Sequence, residues 1–195
     1  VRLRSTADLQ PLLLKHSLSL RAQFGSRPIY RLSVVGVAAA THDVIDALEL
    51  EPAVLGAEPN VIHNSPEARK NSPWAIGTPS AYVAQWAPQA MRLPQAHALS
   101  RGAGVRVAVL DTGVDAKHPA LAGHLLPGFD FVDFDNDPSE AGSKADISFG
   151  HGTHVAGLVA LAAPDAQLMP LRVLDAQGHG NAWVLVEAML YAVDP

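Results

Sequence analysis

The chain is predicted to be α/β, a parallel sheet flanked by helices, preceded by a small α+β unit. Three observations predict this. Residues 105–111 form a nearly unbroken run of valine, alanine and leucine that ends on Asp111, as in a strand buried on both faces. Small and apolar residues over 151–163, a second apolar run over 167–174 and a helix-like stretch over 181–193 follow in turn; such alternation of strand and helix builds a covered parallel sheet. Residues 1–63 instead carry short runs of alternating polarity, the mark of half-buried strands.

In order, residues 1–4 alternate as a strand, and 7–15 form a leucine-rich helix with Pro11 in its first turn. Leu18, Leu20, Ala22 and Phe24 share one face of a strand. Gly25, Ser26, Arg27 and Pro28 turn the chain into a second strand through Tyr30, Leu32 and Val34. Residues 43–50 place Val44, Ile45 and Leu48 on one helical face, and 54–63 form a last extended segment interrupted by Pro59. The order is βαββαβ, a ferredoxin-like arrangement. Residues 64–82 are polar and proline-punctuated and read as a linker. Residues 83–195 carry the strand and helix alternation, so three segments are expected: 1–63, 64–82 and 83–195.

Composition narrows the function classes. Of 195 residues 48% are hydrophobic, enough for a real core, and the formal charge is −5 with no long run of one sign. That argues against nucleic acid or an anionic membrane as partner. No apolar run reaches the length of a bilayer span. The absence of cysteine excludes disulfides, thiolate metal sites and a cysteine nucleophile. A chain opening on Val1 is accounted for by a removed leader or by a start inside a longer protein.

The chemistry gathers at two places. In open α/β sheets the ligand crevice lies outside the carboxyl ends of the strands, where Asp111 is expected. Forty residues on, His151 opens the small-residue helix. A serine hydroxyl needs a base within hydrogen-bond reach, and that base needs an orienting anion. Asp111 suits the anion, and His151 suits the base, its ring kept neutral by the helix N-terminus. Gly152 admits a close backbone approach, and Gly157 is expected to let the helix pack tightly on the sheet. No serine follows His151, so the nucleophile is absent.

Residues 107–115 (V-A-V-L-D-T-G-V-D) with His118-Pro119, and residues 151–157 (H-G-T-H-V-A-G), resemble the aspartate and histidine motifs of subtilisin-like serine proteases, the subtilases. The stretch from Ala163 to Asp175 is similar to the strand that follows in that family. The order Asp then His also agrees with the family's Asp, His, Ser order. The resemblance implies that Asp111 and His151 are the triad acid and base and that substrates are polypeptides. It implies that 1–63 is an inhibitory propeptide bound to its own catalytic domain, with processing in the 64–82 linker. It implies that Gly178, His179 and Gly180 form the edge that pairs with an extended peptide. Residues 80–95 look like the mature start of thermitase-type members. The family's Gly-Thr-Ser-Met-Ala nucleophile motif and its oxyanion asparagine are missing. The expectation is therefore the N-terminal part of a secreted or extracytoplasmic serine endopeptidase precursor, inactive by itself. The alternative is a propeptide-type inhibitor, chaperone or pseudoenzyme that only binds.

No organic cofactor is expected. Asp130, Asp133, Asp135, Asn136, Asp137 and Glu140 cluster as calcium-binding or merely solvated loop acids. The resemblance selects Asp130 and Asp137 as calcium ligands. Other readings are weaker. Asp111-Thr112-Gly113 occurs once, whereas aspartic proteases need two such acids. His151 and His154 lack a third metal ligand. Asn181 is expected to cap the helix it precedes.

Overall fold

A computed structural model describes residues 1–36, 40–64, 81–82 and 84–193. The linker expected over 64–82 lies almost wholly outside these. The chain divides into two units, Val1–Val61 and Ile62–Pro195.

The first unit runs β1 (Arg2–Leu3), α1 (Leu9–Lys15), β2 (Leu18–Gln23), β3 (Tyr30–Val34), α2 (Thr41–Glu49) and β4 (Val54–Gly56). Ser5 and Asp8 cap the 3-10 turn that leads into α1, each side chain accepting from the other's end of the turn. β1 pairs antiparallel with β4, and β2 with β3. An antiparallel bridge joins Arg2 to Ile29, flanked by Leu3 N–H to Pro28 O and Tyr30 N–H to Val1 O, each 2.8 Å. Leu3, Leu9, Leu12, Leu18, Tyr30 and Leu48 close the core.

Glu51 ties α1 to the end of α2. Its carboxylate receives Lys15 Nζ at 2.8 Å and His16 Nε2 at 2.7 Å. The hydrogen bond from Lys15, then that from His16, holds its pKa below the ordinary 4.5. A depressed carboxylate contributes stability above its unfolded value and loses it as pH falls through the folded one. Urea titrations of the wild type between pH 6 and 3 are therefore expected to show the first unit weakening below about pH 4.5. Glu51→Gln is expected to flatten that slope; an unchanged slope would remove the assignment.

The second unit holds β5 (Ile62–Asn64), α3 (Trp86–Ala90), α4 (Leu93–His97), β6 (Arg106–Asp111), β7 (Phe129–Asp130), α5 (His151–Ala162), β8 (Gln167–Arg172), β9 (His179–Asn181) and α6 (Ala182–Val193). β6, β8 and β7 form one parallel sheet in that order, with Asp111, Arg172 and Asp130 in register at their carboxyl ends. Alternation along the strands divides the core in two. Val109 and Leu168 pack with Ala156 and Ala160 of α5. Met169, Leu171 and Val173 pack with Val184 and Ala188 of α6. Helices thus cover both faces, an α/β architecture. Asn181 Oδ1 accepts the Val184 N–H at 3.1 Å and caps α6.

Two expectations are corrected. The last extended segment of the first 63 residues is split: Val54–Gly56 closes onto β1, but Ile62–Asn64 pairs antiparallel with β9 of the second unit. Gly157 does not mark where α5 meets the sheet, since the alanines do; it lies against the Tyr82 ring, whose hydroxyl donates to Gly157 O at 2.5 Å.

Candidate active site

β6 delivers Asp111 to the carboxyl edge of the sheet because its apolar run ends there. Asp111 is buried, 6% exposed. α5 begins at His151 because Gly150 takes φ +89, a left-handed conformation that favours glycine, and sets the first turn. The two meet: His151 Nδ1 lies 2.7 Å from Asp111 Oδ1. An ionised carboxylate only accepts, so Nδ1 carries the hydrogen and Nε2 is left as the basic nitrogen. Thr112 N–H donates to the same Asp111 oxygen at 2.7 Å and fixes the carboxylate plane.

The close approach depends on Gly152. A Cβ there would lie 2.1 Å from Gly113 O and 3.1 Å from Asp111 Cβ. The first turn of α5 is thereby laid directly on the loop that follows β6.

Every early N–H of α5 is met, although Gly150 has no side chain to cap it. Thr112 Oγ1 accepts from Gly152 N–H at 3.0 Å. His151 N–H reaches Ser148 O at 3.1 Å. Glu140 accepts from Gly150 N–H and Thr153 N–H, both at 3.0 Å. Sequence reasoning placed Glu140 among solvated or calcium-binding acids and gave no role to Thr112 or Thr153. The available signal was a helix start at a glycine, which must find its acceptors elsewhere.

Gly178, His179 and Gly180 lie at β9, where the strand follows a turn organised by Asp175. Asp175 Oδ1 accepts from Gln177 N–H and His179 N–H, each at 2.9 Å. The pairing with β5 sets His63 opposite Gly180 and Asn64 opposite His179. An extended antiparallel segment therefore already runs along this edge.

Asp130 and Asp137 bond different partners. Asp130, 2% exposed, accepts Arg172 Nη1 on Oδ2, and the N–H groups of Val132 and Asp133 on Oδ1. Asp133 also binds Arg172. Asp137 is exposed and accepts from the Ser139 N–H and hydroxyl. Among the described residues no three His, Asp or Glu side chains are gathered to hold a metal ion. As arranged, Asp130 and Asp133 are engaged by an internal arginine. Burial pulls the Arg172 pKa down, but the hydrogen bonds it donates to Asp133 and Asp130, with their negative charge, outweigh it and the net shift is upward. Arg172→Leu is expected to cost about 3–5 kcal/mol by leaving Asp130 charged and unpaired. Arg172→Leu with Asp130→Leu should recover much of that loss in chemical denaturation; a double loss equal to the sum of the Arg172→Leu and Asp130→Leu single losses would mean the pair is not coupled.

Comparisons with known proteins show what the chain is similar to. Residues 102–194 match the model of the Subtilase family. The chain is 38% identical over 120 residues to "Thermitase" of Thermoactinomyces vulgaris, covering 56% of this chain and 40% of that protein. It is 34% identical over 162 residues to "Thermophilic serine proteinase" of Bacillus sp. (strain AK1), covering 77% of this chain and 37% of that protein. The chain thus spans well under half the length of these relatives. Among solved structures, fervidolysin from Fervidobacterium pennivorans, "a keratinolytic enzyme related to subtilisin", aligns with a TM-score of 0.67 over 100% of this chain and 33% of its own, at 21% identity. That likeness concerns the fold alone.

Proposed function

We propose, from the premise that residues 102–194 of this chain are subtilase-family sequence, that the chain is the leading portion of a serine endopeptidase precursor. The observation that carries the proposal is the 2.7 Å hydrogen bond between His151 and Asp111 at the carboxyl end of a parallel sheet. In the intact enzyme a serine hydroxyl supplied by sequence beyond residue 195 attacks the scissile carbonyl. His151 Nε2 takes the hydroxyl proton and later returns it to the leaving amine. Asp111 keeps Nδ1 protonated and stabilises the imidazolium.

Substrates are polypeptides bound in extended form along Gly178, His179 and Gly180. The antiparallel pairing of Ile62–Asn64 with β9 supports this reading, because main-chain bonds to a strand edge demand little of the sequence. The same pairing supports reading residues 1–63 as a propeptide whose last strand occupies the cleft, and the βαββαβ order supports its ferredoxin-like assignment. Cleavage within 64–82 then releases the mature start. A precursor that blocks itself suits a peptidase acting outside the cytoplasm. No described helix is long and apolar enough to cross a membrane.

The test is hydrolysis of an unfolded polypeptide by the full-length protein, read as new amino termini. Hydrolysis by the full-length protein and none by residues 1–195 alone is expected. No hydrolysis by the full-length protein would leave a module that binds peptides without cutting them.

A further inference from the structure

We infer that Glu140 is a positioning residue for the Asp111–His151 pair, a carboxylate that joins the loop after β6 to the first turn of α5. The assignment rests on the peptidase reading only in calling that pair catalytic.

Four hydrogens converge on Glu140. Oε1 accepts from the Thr153 N–H and the Thr153 hydroxyl, both at 3.0 Å. Oε2 accepts from Gly150 N–H at 3.0 Å and from the Thr112 hydroxyl at 3.2 Å. Both hydroxyls are themselves acceptors: Thr112 Oγ1 takes Gly152 N–H at 3.0 Å and Thr153 Oγ1 takes Asp115 N–H at 2.8 Å. One carboxylate thereby orders four backbone N–H groups, two directly and two through a threonine. Gly150 and Gly152 flank His151 in the chain, and Thr112, which relays one of these bonds, follows Asp111.

The backbone carrying Glu140 is also seated on the same loop. Val114 N–H donates to Pro138 O at 2.9 Å. Gly113, at φ +105, leaves room for it: a Cβ there would lie 2.6 Å from Ser139 O and 2.9 Å from Glu140 N. The strut is therefore anchored at its base and bonded at its tip.

The chemistry selects a carboxylate. Four donors meet two oxygens, and no donor is needed in return. A glutamine would turn its NH₂ toward either Gly150 N–H or Thr153 N–H. A hydroxyl can rotate away from that conflict, but a backbone N–H cannot. The negative charge also sits at the positive end of α5, beside the imidazole that becomes cationic during the reaction. Asp111 on β6 and Glu140 on the loop before α5 are both bonded to this turn.

The experiment uses the full-length protein labelled with 15N-histidine, comparing wild type with Glu140→Gln. The readouts are the downfield Nδ1–H proton of His151 and the titration of its ring. With the fold intact by circular dichroism, Glu140→Gln is expected to broaden or shift that proton. It should also lower the ring's proton affinity about threefold, half a pH unit. If Glu140→Gln does not fold, Thr153→Val is measured instead, expecting a smaller shift in the same direction that Thr153→Ser reverses. An unchanged resonance and titration in a folded variant overturns the assignment. Because the readout needs neither a serine nor turnover, such a failure is distinct from failure of the peptidase reading.

Discussion

On the peptidase reading, His151→Ala in the full-length protein is expected to lower kcat by about 10⁶ with KM nearly unchanged. The figure is that of the equivalent loss in subtilisin, a relative, and is carried over rather than derived. The physical reason lies in the site. The hydrogen bond between Nδ1 and Asp111 fixes the tautomer in which Nε2 is the nitrogen that takes the hydroxyl proton. Without the ring, no other group described at this edge is placed to do so. In the proposed function substrate affinity comes from main-chain pairing at β9, so KM should hold. Asp111→Asn should cost less, about 10⁴-fold, by presenting the wrong tautomer to the ring. Both are read from steady-state hydrolysis of a chromogenic peptide. A loss confined to KM would contradict the roles assigned here.

Gly152→Ala is expected to have the largest structural effect of any single methyl added to the site. The new Cβ would sit 2.1 Å from Gly113 O, far inside contact distance. Both groups are backbone, so neither can rotate away; the first turn of α5 must move off the loop after β6. The Thr112 hydroxyl then loses Gly152 N–H, and His151 moves away from Asp111. Overpacking of this kind costs about 3 kcal/mol or more. A displacement near 1 Å at the reacting groups lowers turnover by about 10²-fold. Chemical denaturation and kcat check the two parts separately. A stability loss below about 1 kcal/mol would mean that the helix and loop yield more easily than their packing indicates.

Much of the site was legible because its signals are local. The apolar run of β6 ends on Asp111, and a glycine followed by His151 opens a helix of small residues; both are written in consecutive positions. What was not legible is carried by distant partners. Asp130 reads as one of several loop acids until Arg172, 42 residues later, is seen beside it in the sheet. Ile62–Asn64 looks like the last strand of the first unit, because alternation says that a segment is extended but not which strand it meets. Glu140 reaches the helix across ten residues of irregular chain, so no periodicity announces it. The short helices Trp86–Ala90 and Leu93–His97 contain Pro88 and Pro94. Both prolines stand in the first turn, where proline is well tolerated.

The most direct test is covalent labelling of the full-length protein by a serine-directed fluorophosphonate, mapped by mass spectrometry in wild type and His151→Ala. One adduct per molecule on a serine outside residues 1–195, lost in the variant, is the predicted result. An adduct on a serine within residues 1–195, or labelling undiminished by the loss of His151, would contradict the account.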